Sequence, residues 1–303
     1  MAKKVGRKLV AFVALVTVGQ LMVFNHYNSL FAAARQDTAA ELKQSSDQQQ
    51  SDKNIQQEVA RLKAQNYKFV TVSQGNEYAT YLDSSNILHI EDLASKKDVT
   101  TTKISYPVQY VSWIGDQKVF VGEQIAPGDL ELTTVDTSDG SQSVACSFTQ
   151  LSADAAFAKI TFSTQTNDIY VLINTATTSA LYHIGTMKDV SEVPIDGRYI
   201  KNIAISETGD KLYFEDRLDG SYNVLYFDSE NVPHRVQLNA ALVSVVGNVL
   251  YYGDIDSNGL VTSVYKLGDN GQSTLVSTLK SPTLAADIDI DDDGKIQINS
   301  STA

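Results

Sequence analysis

The chain is poor in residues that crosslink or stiffen a fold. Its 303 residues include one cysteine (Cys146), one tryptophan and five prolines. A single cysteine cannot form an intramolecular disulfide. Because no cysteine lies directly after the N-terminal apolar run, a lipoprotein is excluded. Stability must therefore come from packed apolar cores, which a chain of this length is large enough to build.

Positive charge is scarce after the first few dozen residues. Residues 68–303 contain 15 lysines and arginines against 31 aspartates and glutamates. Such a surface repels nucleic acid, whose binding depends on phosphate neutralisation, and it also avoids anionic lipids and wall polymers. We therefore expect no nucleic-acid partner. Cations, cationic proteins and neutral glycans remain, although the charge is also explained by solubility alone.

Recognisable catalytic motifs are missing as well. The sequence has no G-x-S-x-G nucleophile elbow and no glycine-rich phosphate loop. Its four histidines lack the spacing of metal ligands: His26, His89, His183 and His234. The adjacent carboxylates Glu215-Asp216 and Glu91-Asp92 would support glycoside chemistry only at a suitable separation across a cleft. We predict that the protein is not an enzyme.

The N-terminus has the pattern of a chain delivered into a membrane. Four basic residues within positions 1–8 precede the run 9–24, in which thirteen of sixteen residues are apolar. Basic flanks stay on the cytoplasmic side, and flanking residues extend the run to a length that spans a bilayer. We predict a cytoplasmic flank at 1–8, a transmembrane anchor at 9–31, and an extracytoplasmic location for the rest.

Cleavage of this segment as a signal peptide is the alternative. Ala32, Ala33 and Ala34 provide the small residues that a signal peptidase requires. However, polar residues, including Asn25 and Asn28, lie between the apolar run and these alanines, which makes the approach long and polar. The anchor remains our prediction.

Residues 32–67 form a predicted polar stalk. Between 35 and 66 there is no glycine or proline, and five basic residues balance five acidic ones. Ile55, Val59 and Leu62 lie at i, i+4 and i+7, on one face of a short helix. We predict a partly helical spacer, and weak self-association through 55–62 is the alternative.

From residue 68 to residue 303 a β-strand pattern repeats. An aliphatic and aromatic strand ending at an acidic, amide or serine residue recurs six times, at 78–83, 118–123, 169–174, 212–216, 249–254 and 295–300. A companion strand precedes each of them, at 68–72, 110–114, 160–163, 203–206, 242–246 and 288–290, and two more follow in all but the last unit. The strands at 203–206 and 242–246 carry little charge and are predicted to lie innermost. Four short antiparallel strands every forty or so residues are typical of β-propeller blades.

We therefore predict an all-β fold, a β-propeller at 68–303. The pattern contains five complete units and a short sixth unit with two strands. Six blades are predicted, and five are the alternative. Propellers often close by letting one terminus complete a blade of the other, so residues 68–72 are a candidate to complete the last blade.

Some of these units resemble a known superfamily. The turn from Ser206 to Lys211 precedes an LYF strand, and the strand NVLYFD at 223–228 follows. These motifs are similar to those of TolB/YncE-type propellers and of the propeller of prolyl oligopeptidase-like proteins, over roughly residues 68–303. The resemblance implies a fold and no activity. A WD40 propeller is not indicated, because the only tryptophan, Trp113, has no aspartate beside it.

Two segments match the calcium-loop pattern D-x-[DN]-x-[DN]-G, at 254–259 and 289–294. Neither has the glutamate that an EF-hand needs at position twelve, and both lie where hairpin turns are expected. A turn is the simplest interpretation of both. In the second segment five carboxylates fall within seven residues, and a divalent ion would relieve their repulsion. Its candidate calcium ligands are Asp289, Asp291 and Asp293.

Together these features predict a membrane-anchored β-propeller outside the cytoplasm that serves as a non-enzymatic protein-interaction or scaffold module in the bacterial cell envelope. Its partner would be an envelope protein. The alternative is a propeller that binds or hydrolyses surface glycans. An apolar patch on a loop face would favour protein docking, whereas an aromatic pocket with paired carboxylates would favour the glycan.

The calcium hypothesis predicts a change in thermal stability. If a cation bridges Asp289, Asp291 and Asp293, millimolar calcium should raise the melting temperature of the 68–303 fragment relative to chelator, because a ligand bound only by the folded state stabilises it. Differential scanning calorimetry measures this. Identical melts in calcium and in chelator would contradict the site.

Overall fold

The computed structural model describes residues 53–187, 189–218, 220–268, 271–291 and 293–298. The chain divides into two units, residues 1–65 and residues 66–303. In the first unit, residues 53–64 are helical, over the segment where the spacing of Ile55, Val59 and Leu62 predicts a helix. The predicted anchor at 9–31 lies outside the described residues. Among the residues that are described, no helix is both long and apolar enough to span a bilayer.

In the second unit, the described residues form twenty-two strands in six antiparallel sheets. The first sheet contains β1 (Lys68–Val72), β2 (Tyr78–Leu82), β3 (Ile87–Asp92) and β4 (Lys97–Lys103). The second contains β5 (Val108–Ile114), β6 (Lys118–Ala126), β7 (Asp129–Asp136) and β8 (Gln142–Phe148). The third contains β9 (Ala156–Phe162), β10 (Ile169–Asn174), β11 (Ser179–Ile184) and β12 (Val190–Glu192).

The remaining sheets continue this pattern along the chain. The fourth contains β13 (Tyr199–Ile205), β14 (Leu212–Leu218), β15 (Ser221–Phe227) and β16 (Pro233–Leu238). The fifth contains β17 (Ala240–Val246), β18 (Val249–Ile255), β19 (Val261–Leu267) and β20 (Ser273–Thr283). After a 3₁₀ turn at Ala285–Asp287, the sixth contains β21 (Ile288–Ile290) and β22 (Ile296–Ile298).

Each four-stranded sheet is a meander whose spatial order follows the chain. The first strands of successive sheets, β1, β5, β9, β13, β17 and β21, lie beside one another. They form an inner series that includes both strands predicted to lie innermost, at 203–206 and 242–246. Because neighbouring strands are antiparallel, every first strand starts at the same end of its sheet.

This topology defines two faces of the unit. The connector face carries the connections between sheets and the turns between second and third strands. The hairpin face, at the opposite end, carries the turns between first and second strands and those between third and fourth strands. Side chains on these turns can therefore be assigned to a face from their position in the meander.

Six sheets are present, as predicted, and the last has two strands in the described residues. The suggestion that residues 68–72 complete the last blade is wrong. β1 pairs with β2 inside the first sheet, with Lys68 opposite Leu82 and Val72 opposite Ala79. A short turn joins these strands, and closing it costs less chain entropy than pairing with a strand more than two hundred residues away.

Five apolar cores hold the six sheets together, one between each pair of consecutive sheets. Between the third and fourth sheets, for example, Leu172 and Leu181 pack with Ile203 and Phe214. Between the second and third sheets the backbone approaches so closely at Gly122 that an added Cβ would lie 2.5 Å from the Phe157 ring. Each sheet thus buries a face against its neighbour.

The first strand of every four-stranded sheet carries a bulge. In the second to fifth sheets the first strand has one extra residue opposite the second strand: Gln109, Ala158, Lys201 and Val243. In the first sheet the pairing shifts between Lys68 and Thr71. A bulge leaves backbone N–H and C=O groups without ladder partners. Those groups must find other partners, because they lie among buried residues.

Side chains of the preceding sheet supply these partners where the second sheet meets the third, the third meets the fourth and the fourth meets the fifth. In each case they bond to the backbone of the residue directly before the extra residue of the bulge. Gln109 accepts a bond from the Phe157 N–H at 3.2 Å. Ser179 Oγ accepts from the Ile200 N–H at 2.8 Å, and Asn174 donates to the Ile200 carbonyl at 2.9 Å. Glu215 accepts from the Leu242 N–H at 3.0 Å. These side chains set the position of each sheet on the one before it.

Removing one of these contacts should destabilise the fold. We expect Ser179→Ala to lower the free energy of unfolding by about 1–2 kcal/mol, because the buried Ile200 N–H then lacks a partner. The control is Ser147→Ala on an outer strand, where the exposed hydroxyl bonds only to Glu131 at 3.3 Å, with an expected change below about 0.5 kcal/mol. Urea unfolding measures both, and equal effects would contradict the role of Ser179.

Candidate functional site

The three histidines in the described residues share one arrangement. Each lies directly across from a tyrosine on the neighbouring strand, and its ring stacks on that tyrosine. The centroid separations are 4.7 Å for Tyr81–His89, 4.7 Å for Tyr170–His183 and 4.9 Å for Tyr226–His234. Each histidine also contacts an aspartate at a nearby turn. The sequence showed only that these histidines lack the spacing of metal ligands, and this repeated unit was not predicted from it.

The aspartate contacts are short in each case. His183 Nε2 lies 2.7 Å from Asp168, and His234 Nε2 lies 2.7 Å from Asp228. His89 contacts two aspartates, with Nδ1 at 2.8 Å from Asp98 and Nε2 at 3.5 Å from Asp83. Because a carboxylate only accepts, His183 and His234 donate their Nε2 hydrogens, which fixes the ring nitrogen that carries the proton. In His89 both ring nitrogens face a carboxylate, and a neutral ring donates to only one of them.

A nine-residue motif underlies two of these units. The pattern Y-x-D-S-x-N-x-x-H occurs at 81–89 and again at 226–234. In both copies the aspartate side chain accepts two turn N–H groups, and the asparagine adopts a φ of +59°. The first copy joins β2 to β3 on the connector face, and the second joins β15 to β16 on the hairpin face. The copies therefore stabilise separate turns and do not form one site.

A cleft of about 180 Å³ lies between the third and fourth sheets on the hairpin face. Its apolar lining comes from Val193, Leu212 and Phe227. Its polar lining is Tyr170, His183, Glu192, Asp210, Asp228 and Asn231, together with three serine and glycine positions. Among the residues that the structure describes, no lysine or arginine lines it. Two of the three histidine units thus meet at this cleft, through His183 and through Asp228.

The predicted calcium ligands lie on the two-stranded sixth sheet and its turn. Asp289 is exposed on β21, Asp291 accepts the Lys295 N–H at 2.8 Å, and Asp293 pairs with the Lys295 ammonium at 2.9 Å. In the described residues no group of three or more His, Cys, Asp or Glu side chains is arranged to hold a metal. The calcium site stays a prediction. The other matching segment, at 254–259, forms the turn between β18 and β19.

The adjacent carboxylates do not share a face of their sheet. Glu215 and Asp216 are each about 1% exposed, but consecutive strand residues point to opposite sides. Glu215 contacts Lys201 and the next sheet, whereas Asp216 contacts Arg198 at 2.7 Å. Glu91 and Asp92 also follow each other on one strand. Neither pair forms the facing carboxylates that glycoside hydrolysis uses.

Exposed apolar side chains are concentrated on the connector face. Eleven large apolar residues are exposed in the described residues, and three of them, Val99, Val144 and Leu275, lie inside outer strands. Of the remaining eight, five belong to the connector face: Tyr106, Leu218, Leu238, Leu284 and Ile298, each between 42% and 54% exposed. The hairpin face has three, Met187, Val190 and Val232. The two faces thus differ in character.

No protein-family model matches the chain, and no curated protein is significantly similar to it. A prolyl endopeptidase structure is similar at a TM-score of 0.55 and 13% identity, over 73% of this chain and 36% of that chain. An oligogalacturonate lyase in complex with manganese is similar at 0.51 and 13%, over 70% and 65%. TolB from Acinetobacter baumannii reaches 0.48 and 15%, over 72% and 53%.

The similarity to the prolyl endopeptidase and to the oligogalacturonate lyase, with the six consecutive sheets, supports the predicted β-propeller fold. The chain spans less than two thirds of the length of each of these three proteins. At such low identity the likeness concerns the fold alone, and 1258 chains of solved structure are similar. A fold that is so widely shared does not specify an activity.

The Asp228–His234 pair predicts a pH effect on stability. The hydrogen bond from His234 and, with a smaller effect, the bond from the Val232 N–H hold the pKa of Asp228 below its ordinary value. A carboxyl with a lowered pKa in the folded state contributes stability above its unfolded pKa and loses it as the pH falls. We expect Asp228→Asn to lose less stability than the native chain between about pH 5 and pH 2.

The control is Glu230→Gln, an exposed carboxyl on the same turn. Urea midpoints at several pH values compare the three proteins. A pH profile of Asp228→Asn that overlays the native profile, with Glu230→Gln also unchanged, would contradict the contribution of Asp228.

Proposed function

We propose that this protein is a non-enzymatic docking module of the bacterial cell envelope. In this proposal residues 9–31 anchor the chain in the membrane, residues 32–67 act as a spacer, and the propeller binds an envelope protein through its connector face. The basic flank and the apolar run support the location. Exposed apolar side chains on the connector face support the mode of binding.

The observation that carries the proposal is the unequal distribution of exposed apolar residues between the two faces. Surface hydrophobics scattered singly are ordinary, but their concentration on one face is typical of protein-interaction surfaces. Tyr106 and Leu284 lie on connections between sheets, and Leu218, Leu238 and Ile298 end strands at the same face. All five are branched or aromatic side chains, which supply contact area when a partner covers them.

Surface glycans are the second candidate ligand. A glycan-hydrolysing propeller needs two carboxylates that face each other across a cleft. Glu215 and Asp216 are buried, occupied by basic partners and directed to opposite sides of β14. Glu215 and Asp216 are therefore not a hydrolytic pair. What supports the glycan alternative is the hairpin-face cleft, where Glu192, Asp210 and Asp228 lie in one lining with Tyr170.

Single cysteines on the two faces test the proposal in intact cells. The native Cys146 is buried, and burial raises the pKa of its thiol to about 12, so it should stay unmodified. We expect a membrane-impermeant maleimide crosslinker to capture a defined protein through Leu284→Cys on the connector face. The matched control is Met187→Cys on the hairpin face, which is 91% exposed.

The location and the docking face have separate readouts. Modification of both cysteines by the impermeant reagent supports an extracytoplasmic propeller, and modification of neither in intact cells contradicts it. Capture of the same protein through both positions, or of polysaccharide alone, would contradict docking through the connector face.

A further inference from the structure

The cleft on the hairpin face has no role in docking through the connector face. Its volume of about 180 Å³ is smaller than the roughly 300–1,000 Å³ of pockets that enclose drug-sized ligands. It therefore suits one functional group and the short chain that bears it. Because it lies between two sheets, its opposite walls come from separate blades, β10 to β12 on one side and the turns of the fourth sheet on the other.

The carboxylates of the lining are hydrogen-bond acceptors, whereas Tyr170, Ser191, Ser229 and Asn231 can both donate and accept. The carboxylates of Glu192, Asp210 and Asp228 accept and cannot donate when ionised. His183 directs its Nε2 hydrogen to Asp168 at 2.7 Å, which leaves Nδ1 as an acceptor in the neutral ring. The described part of the chain contributes no lysine or arginine to the lining. A complementary ligand must therefore bring donors and positive charge.

Two of these carboxylates are held ionised near neutral pH. Hydrogen bonds from the Thr208 and Ser206 hydroxyls keep the pKa of Asp210 below its ordinary value, and the nearby Lys211 acts in the same direction. The bond from His234 lowers the pKa of Asp228. Lys211 lies on the fourth sheet with its ammonium 5.5 Å from the Tyr226 ring, and it is not part of the lining.

An aromatic ring completes the cleft. Tyr170 stacks on His183 and lies in the lining, so it offers a π surface beside the carboxylates. Cations are attracted both to carboxylates and to the faces of aromatic rings. An ammonium group has three donors and no acceptor, which matches this lining better than a sugar hydroxyl, which is donor and acceptor at once.

We propose that this cleft binds a protonated primary amine, as carried by a lysine side chain, a polyamine or an amino sugar. The ammonium would contact Glu192 and Asp210 from opposite walls, with its alkyl chain against Tyr170 and Phe227. This site is separate from the docking face, and it gives the acidic propeller a specific place for a cationic group.

Histidine NMR of the full-length chain tests the proposal, with the imidazole Cε1 positions labelled. The probe is acetyl-Gly-Lys-Gly-amide, and the matched control peptide has norleucine in place of lysine. We expect the lysine peptide to shift the His183 signal saturably and to leave the signal of His89, on the first sheet, unchanged. The norleucine peptide should shift neither, because it lacks the charge.

Substitutions in the cleft identify the groups that bind. The double variant Glu192→Gln, Asp210→Asn should weaken peptide binding at least about tenfold, because two charge contacts are lost. Glu230→Gln, close in sequence to the cleft but outside its lining, should change it less than about twofold. Thermal melts of both variants establish that they are folded.

Other probes separate the sources of the amine. Tighter binding of spermidine or glucosamine than of the peptide supports the amine site and assigns it to a non-protein ligand. Equal shifts with norleucine peptide or with glucose, absence of a saturable His183 shift, or unchanged affinity in the folded double variant would overturn the proposal. None of these results bears on cysteine capture at position 284, so the two proposals fail independently.

Discussion

The bulge in each inner strand is the constraint on which the rest of this structure depends. An extra residue such as Lys201 or Val243 interrupts the ladder and leaves the groups of the residue before it to be satisfied from outside the sheet. The preceding sheet provides Gln109, Asn174, Ser179 and Glu215 for this purpose. An unsatisfied buried N–H costs about 1–3 kcal/mol, so these contacts favour one register between sheets where apolar packing alone would tolerate several.

The same bulges explain where the sequence prediction of strands fails. The second strands of the four-stranded sheets start where they were predicted to start, as at 169–174, and the bulges against the third strand in the second and fifth sheets lie at the ends of β6 and β18. The first strands were predicted to start at 110, 160, 203 and 242, whereas they start at 108, 156, 199 and 240. At a bulge two residues lie opposite one, which changes the set of positions whose side chains face the core. The alternation of apolar and polar residues before the bulge therefore does not continue in the alternation after it, and the prediction left out the residues before the bulge.

The site could be predicted less well than the fold. The recurrence of acidic and amide residues at the ends of second strands was visible in the sequence. That they accept hydrogen bonds from the backbone of the next sheet, or donate bonds to it, was not, because this depends on contacts between residues far apart in the chain, such as Glu215 and Leu242. The histidine units were missed because tyrosine and histidine meet across strands, at separations of eight to thirteen residues. Only the repeated Y-x-D-S-x-N-x-x-H motif carried a local signal. The cleft had none, since its walls come from two sheets.

The division of chemistry between the two faces follows from the same meander. Connections between sheets have no strict turn geometry, so they accommodate residues such as Tyr106 and Leu284. Tight hairpins instead require side chains that accept turn N–H groups, and aspartate and asparagine serve this purpose. Both faces therefore carry such carboxylates for reasons of folding alone, Asp83 and Asp256 on the connector face and Asp210 and Asp228 on the hairpin face. What folding does not require is Glu192, an exposed carboxyl at the end of β12 that lines the cleft together with Asp210. Its presence there is the feature that turn chemistry leaves unexplained and that a cationic ligand would explain.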